Sequence, residues 1–251
     1  MTEAVLTRIE NGIRTITLNR PERLNAINDA LLEAFEAALI EANRDVETRV
    51  VVLNGAGRAF CAGDDLKEFQ ARRWTEAEAR YHVEAIQRVT REIVLGDKVV
   101  VGAIHGWVVG GGLEWAIDCD LPIWAETARG FFPEIGIGLF VTGAVTALLP
   151  RMVGVHKARE LILLGERFDG RQAADWGLAW RAAPEERLLD EARAIAARIA
   201  GLPPAQVRDL KRALGRAGGL DIEGAMALET RATIDAFTGP AAAERIAGFG
   251  R

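Results

Sequence analysis

The apolar and polar positions divide the chain into two parts. In the first, short β-rich runs alternate with amphipathic helices; the second is mostly helical. Residues 4–10 and 13–18 read as two strands separated by Asn11-Gly12. Asn-Gly between two β-rich runs predicts a hairpin, because both residues tolerate the positive φ of a tight turn. Over 28–44 the apolar residues fall at 31, 32, 35, 39 and 42, a stripe along one helical face. A short β-branched strand is predicted over 49–53, and 57–66 reads as a loop. A long helix follows over 75–95, then a buried-type strand over 98–104. Gly110-Gly111-Gly112 opens a short helix running to Asp118, and 121–125 reads as a strand. Beyond Pro133 the pattern is helical over 142–165, with breaks expected at Pro150 and Gly154. Residues 185–200, 204–216 and 222–237 also fit a helical period. No repeat with a period of about 20 to 50 residues is visible. These elements predict an α/β core followed by helices. Pro203-Pro204 and Gly218-Gly219 punctuate those helices without making a flexible linker. The expected organisation is a core over 1–195 and a helical region over 196–251.

Composition removes several classes of function. Of 251 residues, 49% are hydrophobic and 27% charged, which suits a globular chain with a sizeable core. Lys and Arg number 31 against 36 Asp and Glu, a net charge of -5. That balance disfavours a nucleic-acid partner, which needs a basic face, but leaves room for an anionic small ligand held by local arginines. Cys61 and Cys119 are too few for a disulfide framework, and a reduced cytoplasmic setting is expected. The sequence has no Ser, which excludes Ser-His-Asp hydrolases, and no Gly-Lys pair, which excludes a Walker A loop. His82, His105 and His156 are scattered, so no zinc site is expected. Glu3 and Arg8 interrupt any early apolar run, so a signal peptide is not expected. The longest run free of Asp, Glu, Lys and Arg, 135–150, has 16 residues and three glycines. A membrane span needs about 18 to 20 residues, so none is expected.

Three segments could carry chemistry. Gly110-Gly111-Gly112-Leu113-Glu114 places free backbone N–H groups at a helix start, where they and the helix dipole favour negative charge. The same turn could equally serve packing, with Glu114 a favourable first-turn acid. In Ala62-Gly63-Asp64-Asp65-Leu66 the two acids could bind a metal or cap a helix. With no third ligand nearby in sequence, no metal site is expected. In Phe131-Phe132-Pro133-Glu134-Ile135, Glu134 stands among apolar residues. Burial there would raise its pKa and suit it to proton transfer near neutrality; an exposed loop acid is the alternative.

Taken in order and spacing, these segments resemble the crotonase, or enoyl-CoA hydratase/isomerase, superfamily. The resemblance begins at Asn19-Arg20-Pro21-Glu22-Arg23-Leu24-Asn25-Ala26 and continues through 57–67, 98–120 and Pro133-Glu134. Met152-Val153-Gly154, Gly165-Glu166-Arg167-Phe168, Ala173-Ala174 and Gly177-Leu178 extend it, so that residues 5–195 are covered. It implies a spiral of ββα units with C-terminal helices that form a homotrimer or a dimer of trimers. It also implies an acyl thioester of coenzyme A as ligand, with no separate cofactor and no metal. The thioester carbonyl would sit between the backbone N–H groups of Asp64 and Gly111. Arg23, Leu24 and Ala26 of the first loop, together with Ala62, Gly63, Asp65, Leu66 and Gly110, would contact CoA and substrate. Glu114 and Glu134 fall where the family's hydratases keep two catalytic carboxylates.

What the resemblance implies is hydration of a 2-enoyl-CoA. Charge would develop on the thioester oxygen, and one preorganised N–H donor is worth about 3 to 4 kcal/mol at such a site. Glu114 would deprotonate the water and Glu134 would protonate the α carbon. The sequence departs from the family at Val141 and Thr142, which stand where a Pro-Gly turn is usual. That departure leaves double-bond isomerisation by Glu134 open, and a non-catalytic acyl-CoA-binding protein is a third possibility. The stretch 243–249 is loosely similar to the family's C-terminal signature. His105 is expected to pack at a strand end, Cys61 and Cys119 to be inert, and Asp118-Cys119-Asp120 to turn from helix to strand. Trp107 and Trp115 belong either to the core or to an acyl pocket.

Overall fold

The fold is described here from a computed structural model covering residues 3–217, 219 and 221–238. Strands β1 (Val5–Glu10) and β2 (Ile13–Leu18) form the hairpin, with φ of 51° at Asn11 and 77° at Gly12. Helix α1 (Asp29–Arg44) follows, its first turn capped by the Asn28 side chain, which accepts from the Leu31 N–H. It buries Leu31, Leu32, Phe35, Leu39 and Ala42, the residues of the sequence stripe.

The chain then winds through three similar turns, each made of a long strand, a short strand and a helical segment. The first comprises β3 (Val50–Gly55), β4 (Ala59–Cys61), α2 (Leu66–Ala71) and α3 (Glu76–Val94). The second is β5 (Val99–Ile104), β6 (Trp107–Val109) and α4 (Gly111–Asp118). The third is β7 (Leu121–Ala125), β8 (Arg129–Phe131), α5 (Val145–Val153) and α6 (Val155–Leu164). The short β9 (Phe168–Asp169), α7 (Gly170–Asp175) and β10 (Arg181–Ala183) complete the core, and α8 (Leu188–Ala200), α9 (Pro204–Ala217) and α10 (Ile222–Thr238) follow.

The long strands and β10 join one sheet in the order β1-β2-β3-β5-β7-β10, parallel except for the hairpin. The short strands join another, β4-β6-β8-β9, in which β8 and β9 are antiparallel. Val50, Val51, Val52 and Leu53 of β3 are all buried, as expected where both faces of a parallel sheet are covered. Helix α8 covers β2, β3, β5 and β7, with Ala192 and Ala196 in the core. β3, β5 and β7 each deliver the chain into a short strand, and α2 and α4 start just beyond the short strands β4 and β6. Two helix starts are brought side by side in this way.

Several features differ from the sequence-based expectation, which contained no α2, α7, β9 or β10. Residues 57–66 contain β4, and β6 and β8 also went unpredicted, because three residues are too few to show a period of two. Helix α5 runs through Pro150 without a break. Thr146, whose carbonyl loses its i+4 donor there, is exposed, so solvent can serve it. The break at Gly154 is present, with φ of 79°.

The Asp118-Cys119-Asp120 turn joins α4 to β7 as expected. Asp118 accepts from the Thr90 hydroxyl at 2.7 Å. Asp120 accepts from Val100 N–H and from Lys211 Nζ, both at 2.7 Å. Lys211 also donates to the carbonyls of Ile93 and Lys98, which fastens α9 to the core. No helix among the described residues is long and apolar enough to cross a membrane. The 243–249 segment lies outside the described residues.

The first loop is pinned by Asn25, which is fully buried. Its Nδ2 donates to the carbonyls of Ala56, Ala59 and Phe60 at 3.0, 2.8 and 3.1 Å, and its Oδ1 accepts from Arg20 N–H at 2.8 Å. Asn25→Ala strands these buried groups and is expected to destabilise the protein by about 2 to 3 kcal/mol in urea unfolding. A loss below about 0.5 kcal/mol would contradict the pinning role.

Candidate active site

The first loop and the turn after β4 are zipped together. Ala62 N–H donates to Leu24 O at 3.1 Å, Ile27 N–H to Gly63 O at 2.8 Å, and Asp65 N–H to Ile27 O at 2.8 Å. This short parallel bridge uses the amides on either side and leaves the Asp64 N–H outside the ladder. The same turn touches the one after β6. Gly63, at φ of 76°, would place a Cβ 2.8 Å from Val109 O, and a Cβ on Gly112 would collide with Cys61. Any larger residue at either position would part the two turns. Gly111 opens α4, so its N–H has no acceptor within the helix.

Beside these turns lies a cavity of about 290 Å3. Of the sequence-predicted residues, Leu24, Ala62, Gly63, Asp64, Leu66, Gly110 and Glu134 border it, and Trp107, Phe131 and Leu139 add apolar wall. The Arg167 guanidinium lies 5.4 Å over the Trp107 ring and 5.2 Å over Phe131, a contact with no sequence signal.

Glu134 is 9% exposed. Oε1 occupies the space that a side chain on Gly110 would fill, and Oε2 is a buried oxygen with no hydrogen-bond partner. Burial pushes its pKa up to about 7, with the charges of Glu114 and Asp64 adding to the rise. The alternative of an exposed loop acid is thereby removed.

Glu114, the fourth residue of α4, is 1% exposed. Thr142 holds both of its oxygens: the N–H donates to Oε1 at 2.7 Å and the hydroxyl to Oε2 at 2.6 Å. Burial again dominates and brings the pKa to about 7; the Thr142 bonds pull it down, and the Asp64 charge pushes it up. Two electrically coupled carboxyl groups, both titrating near neutrality, can share out acid and base roles.

Other predicted residues stand further back. Arg23 is exposed on the turn before Leu24, and Ala26 is buried with its carbonyl bound to Arg20. Asp65 caps α2 and pairs with Arg20 at 3.2 Å, so the helix-cap alternative applies to it. Trp115 is fully buried edge-on to Phe35 at 5.0 Å, which assigns it to the core, whereas Trp107 lines the cavity. Cys61 is buried and its thiol is pushed up to about 12, and burial likewise raises that of Cys119, in keeping with inert thiols. His105 Nε2 lies 2.9 Å from Gly57 O. His82, given no role by the sequence, lies 3.2 Å from Asp64 Oδ1.

Comparison with known proteins places the fold and the family. A family model described as Enoyl-CoA hydratase/isomerase matches residues 8–242. A probable enoyl-CoA hydratase of Bacillus subtilis (strain 168) is 33% identical, covering 98% of this chain and 95% of the relative. A 1,2-epoxyphenylacetyl-CoA isomerase of Escherichia coli (strain K12) is 34% identical, covering 86% and 84%. The crystal structure of an enoyl-CoA hydratase from Bacillus anthracis superposes with a TM-score of 0.93 at 31% identity, covering 98% and 95%.

A buried carboxyl with a raised folded-state pKa binds its proton more tightly folded than unfolded. Its contribution to stability is whole below the unfolded pKa and is lost as pH rises through the folded one. For Glu114 that window runs from the ordinary 4.5 to about 7. Glu114→Gln does not titrate, so its melting temperature relative to the parent is expected to climb across this window. Thermal unfolding measured at a series of pH values checks this, and an offset constant with pH would contradict the buried titration.

Proposed function

The chain belongs to the enoyl-CoA hydratase/isomerase family, and from that premise we propose that it adds water across the double bond of a 2-enoyl thioester of coenzyme A. The observation that carries this is Glu134: a buried carboxyl bordering an apolar cavity, with one oxygen unpartnered and a second acid coupled to it. The thioester carbonyl accepts from the backbone N–H groups of Asp64 and Gly111, which the fold leaves without backbone partners in the loop bridge and the helix. Glu114 takes a proton from water as its oxygen bonds to the β carbon. The π electrons move toward the thioester oxygen, where the two donors stabilise the enolate more than the ground state. Glu134 then delivers its proton to the α carbon, and proton exchange restores the pair. Gly63, Leu66 and Gly110 line the path of the acyl-pantetheine arm, and the Ala62 backbone meets the adenine edge. Leu24 and Arg23 lie along the nucleotide, with Ala26 and Asp65 supporting that wall.

One observation favours a second member of the same chemistry. Both Glu114 oxygens accept from Thr142, whose hydroxyl stands against Oε2. If that bond excludes the attacking water, Glu134 alone moves a proton between carbons, and the reaction is migration of the double bond. The same assignment takes the protein as a cytoplasmic homotrimer or dimer of trimers, with α9 and α10 packed between subunits. Leu210, Leu214, Ile222 and Phe237, exposed on α9 and α10, support that packing.

Incubation with crotonyl-CoA separates the two. Hydration removes the conjugated thioester absorbance with gain of one water by mass, whereas conversion of a 3-enoyl-CoA without mass change marks migration. Glu134→Gln is expected to lower either rate by about 10²- to 10⁴-fold. Glu114→Gln should do the same for hydration and spare migration. Hydration should show a bell-shaped pH dependence centred near 7, because one acid must be ionised and the other protonated. Binding of both thioesters with no turnover of either would instead mark an acyl-CoA-binding protein.

A further inference from the structure

One titratable cluster touches the site without a place in the chemistry above. His82, in α3, is nearly buried, its side chain 12% exposed. Nδ1 lies 3.0 Å from Asp29 Oδ1, and Nε2 lies 3.2 Å from Asp64 Oδ1. Ionised carboxylates only accept, so both contacts are satisfied together only when both ring nitrogens carry hydrogen. Burial works against that charge, but the bonds to Asp64 and Asp29 outweigh it and the pKa is raised.

The charges continue outward in alternating sign. Arg72 donates to Asp29 Oδ2 at 2.8 Å and lies 4.7 Å over the Trp74 ring, which itself packs 5.4 Å from the imidazole. These groups belong to α1, the α2–α3 connection, α3 and the turn after β4, so the series ties four segments together. The neighbouring acids have other partners. Asp65 and Glu68 pair with Arg20, Glu78 bonds Thr75 and lies 3.9 Å from Arg72, and Glu33 accepts from Tyr81. Among the described residues, His82 is the side chain hydrogen-bonded to Asp64. The Asp64 carboxylate acts in turn on Glu114 and Glu134, whose proton affinities its charge raises.

We propose that His82 is a positioning residue for the reaction, an inference that rests on the acyl-CoA chemistry proposed above. As an imidazolium held between Asp29 and Asp64, it fixes the Asp64 carboxylate, and with it the turn carrying the Asp64 amide, beside the acid pair. It also compensates a third negative charge at a site that must keep one of two glutamates ionised. Without His82, the free Asp64 charge turns on the pair and drives both acids toward the protonated state.

Two measurements test this. Nitrogen-15 NMR of the ligand-free protein reads the ring directly, with no activity required. Both His82 nitrogens should be protonated at about pH 7, and Asp64→Asn should move the titration to lower pH. In kinetics, His82→Gln should lower kcat about ten-fold or more and change the acyl-CoA KM by less than about two-fold. Its pH–rate profile should move to higher pH. Adding Asp64→Asn to that background should return the pH–rate profile toward the parent's, because the uncompensated charge is gone. A neutral His82 at about pH 7 overturns the proposal. So does a double variant whose loss is the product of the single losses with the profile unmoved. If the parent protein turns over no acyl-CoA, the NMR titration alone decides: a doubly protonated ring weakened by Asp64→Asn upholds the His82–Asp64 pair, and only the reaction assigned above falls.

Discussion

Backbone meets backbone where the turn after β4 crosses the turn after β6, and the site is built outward from that contact. Gly63 against Val109 and Gly112 against Cys61 allow an approach that any side chain would block. The zipper from Leu24 to Asp65 holds one turn, and the start of α4 holds the other. Separating the turns by even one methyl group would move two amides, a cavity wall and the helix that carries Glu114. The spiral exists on either side of this crossing as a support. Its long strands supply a rigid buried sheet, and its short strands set the two helix starts side by side.

That close crossing also creates an electrostatic problem. Glu114 and Glu134 are buried with little to stabilise their charge, and Asp64 stands within reach of both. The fold answers unevenly. Thr142 gives Glu114 two donors, while Glu134 keeps an orphan oxygen beside the cavity. In the proposed reaction, Glu114 is the acid held in place by Thr142, and Glu134 is the one whose unpartnered oxygen stands at the cavity. In the proposed arrangement His82 balances Asp64 from behind, so that the field at the pair depends on residues from α1 and α3 that do not border the cavity beside Glu134.

Much of this was legible in the sequence, for identifiable reasons. Asn11-Gly12 marked a tight turn, and the stripe from Leu31 to Ala42 marked an amphipathic helix, whose Asn28 cap only the structure revealed. The three glycines before Glu114, and Glu134 among phenylalanines, marked local chemistry that burial then brought out. The rest depends on contacts that sequence spacing does not encode. Three-residue strands such as β4 carry no readable period. Pro150 predicts a break, yet solvent serves the one carbonyl it leaves unpaired. Asp64 and Asp65 are adjacent and chemically alike, but one faces the cavity and the other caps α2. Thr142 was visible as a departure from the family pattern, but its grip on both oxygens of Glu114 was not. His82 meets Asp64 only because α3 folds back over the turn, and nothing local to residue 82 announces it.

The proposed reaction stands on two amides sharing one thioester oxygen, and a crystal structure with a bound 3-ketoacyl-CoA tests this most directly. The thioester oxygen should lie within about 3 Å of both Asp64 N and Gly111 N, with Glu134 beside the α carbon. A thioester oxygen bonded to neither amide, in a complex with the acyl group otherwise ordered, would contradict it.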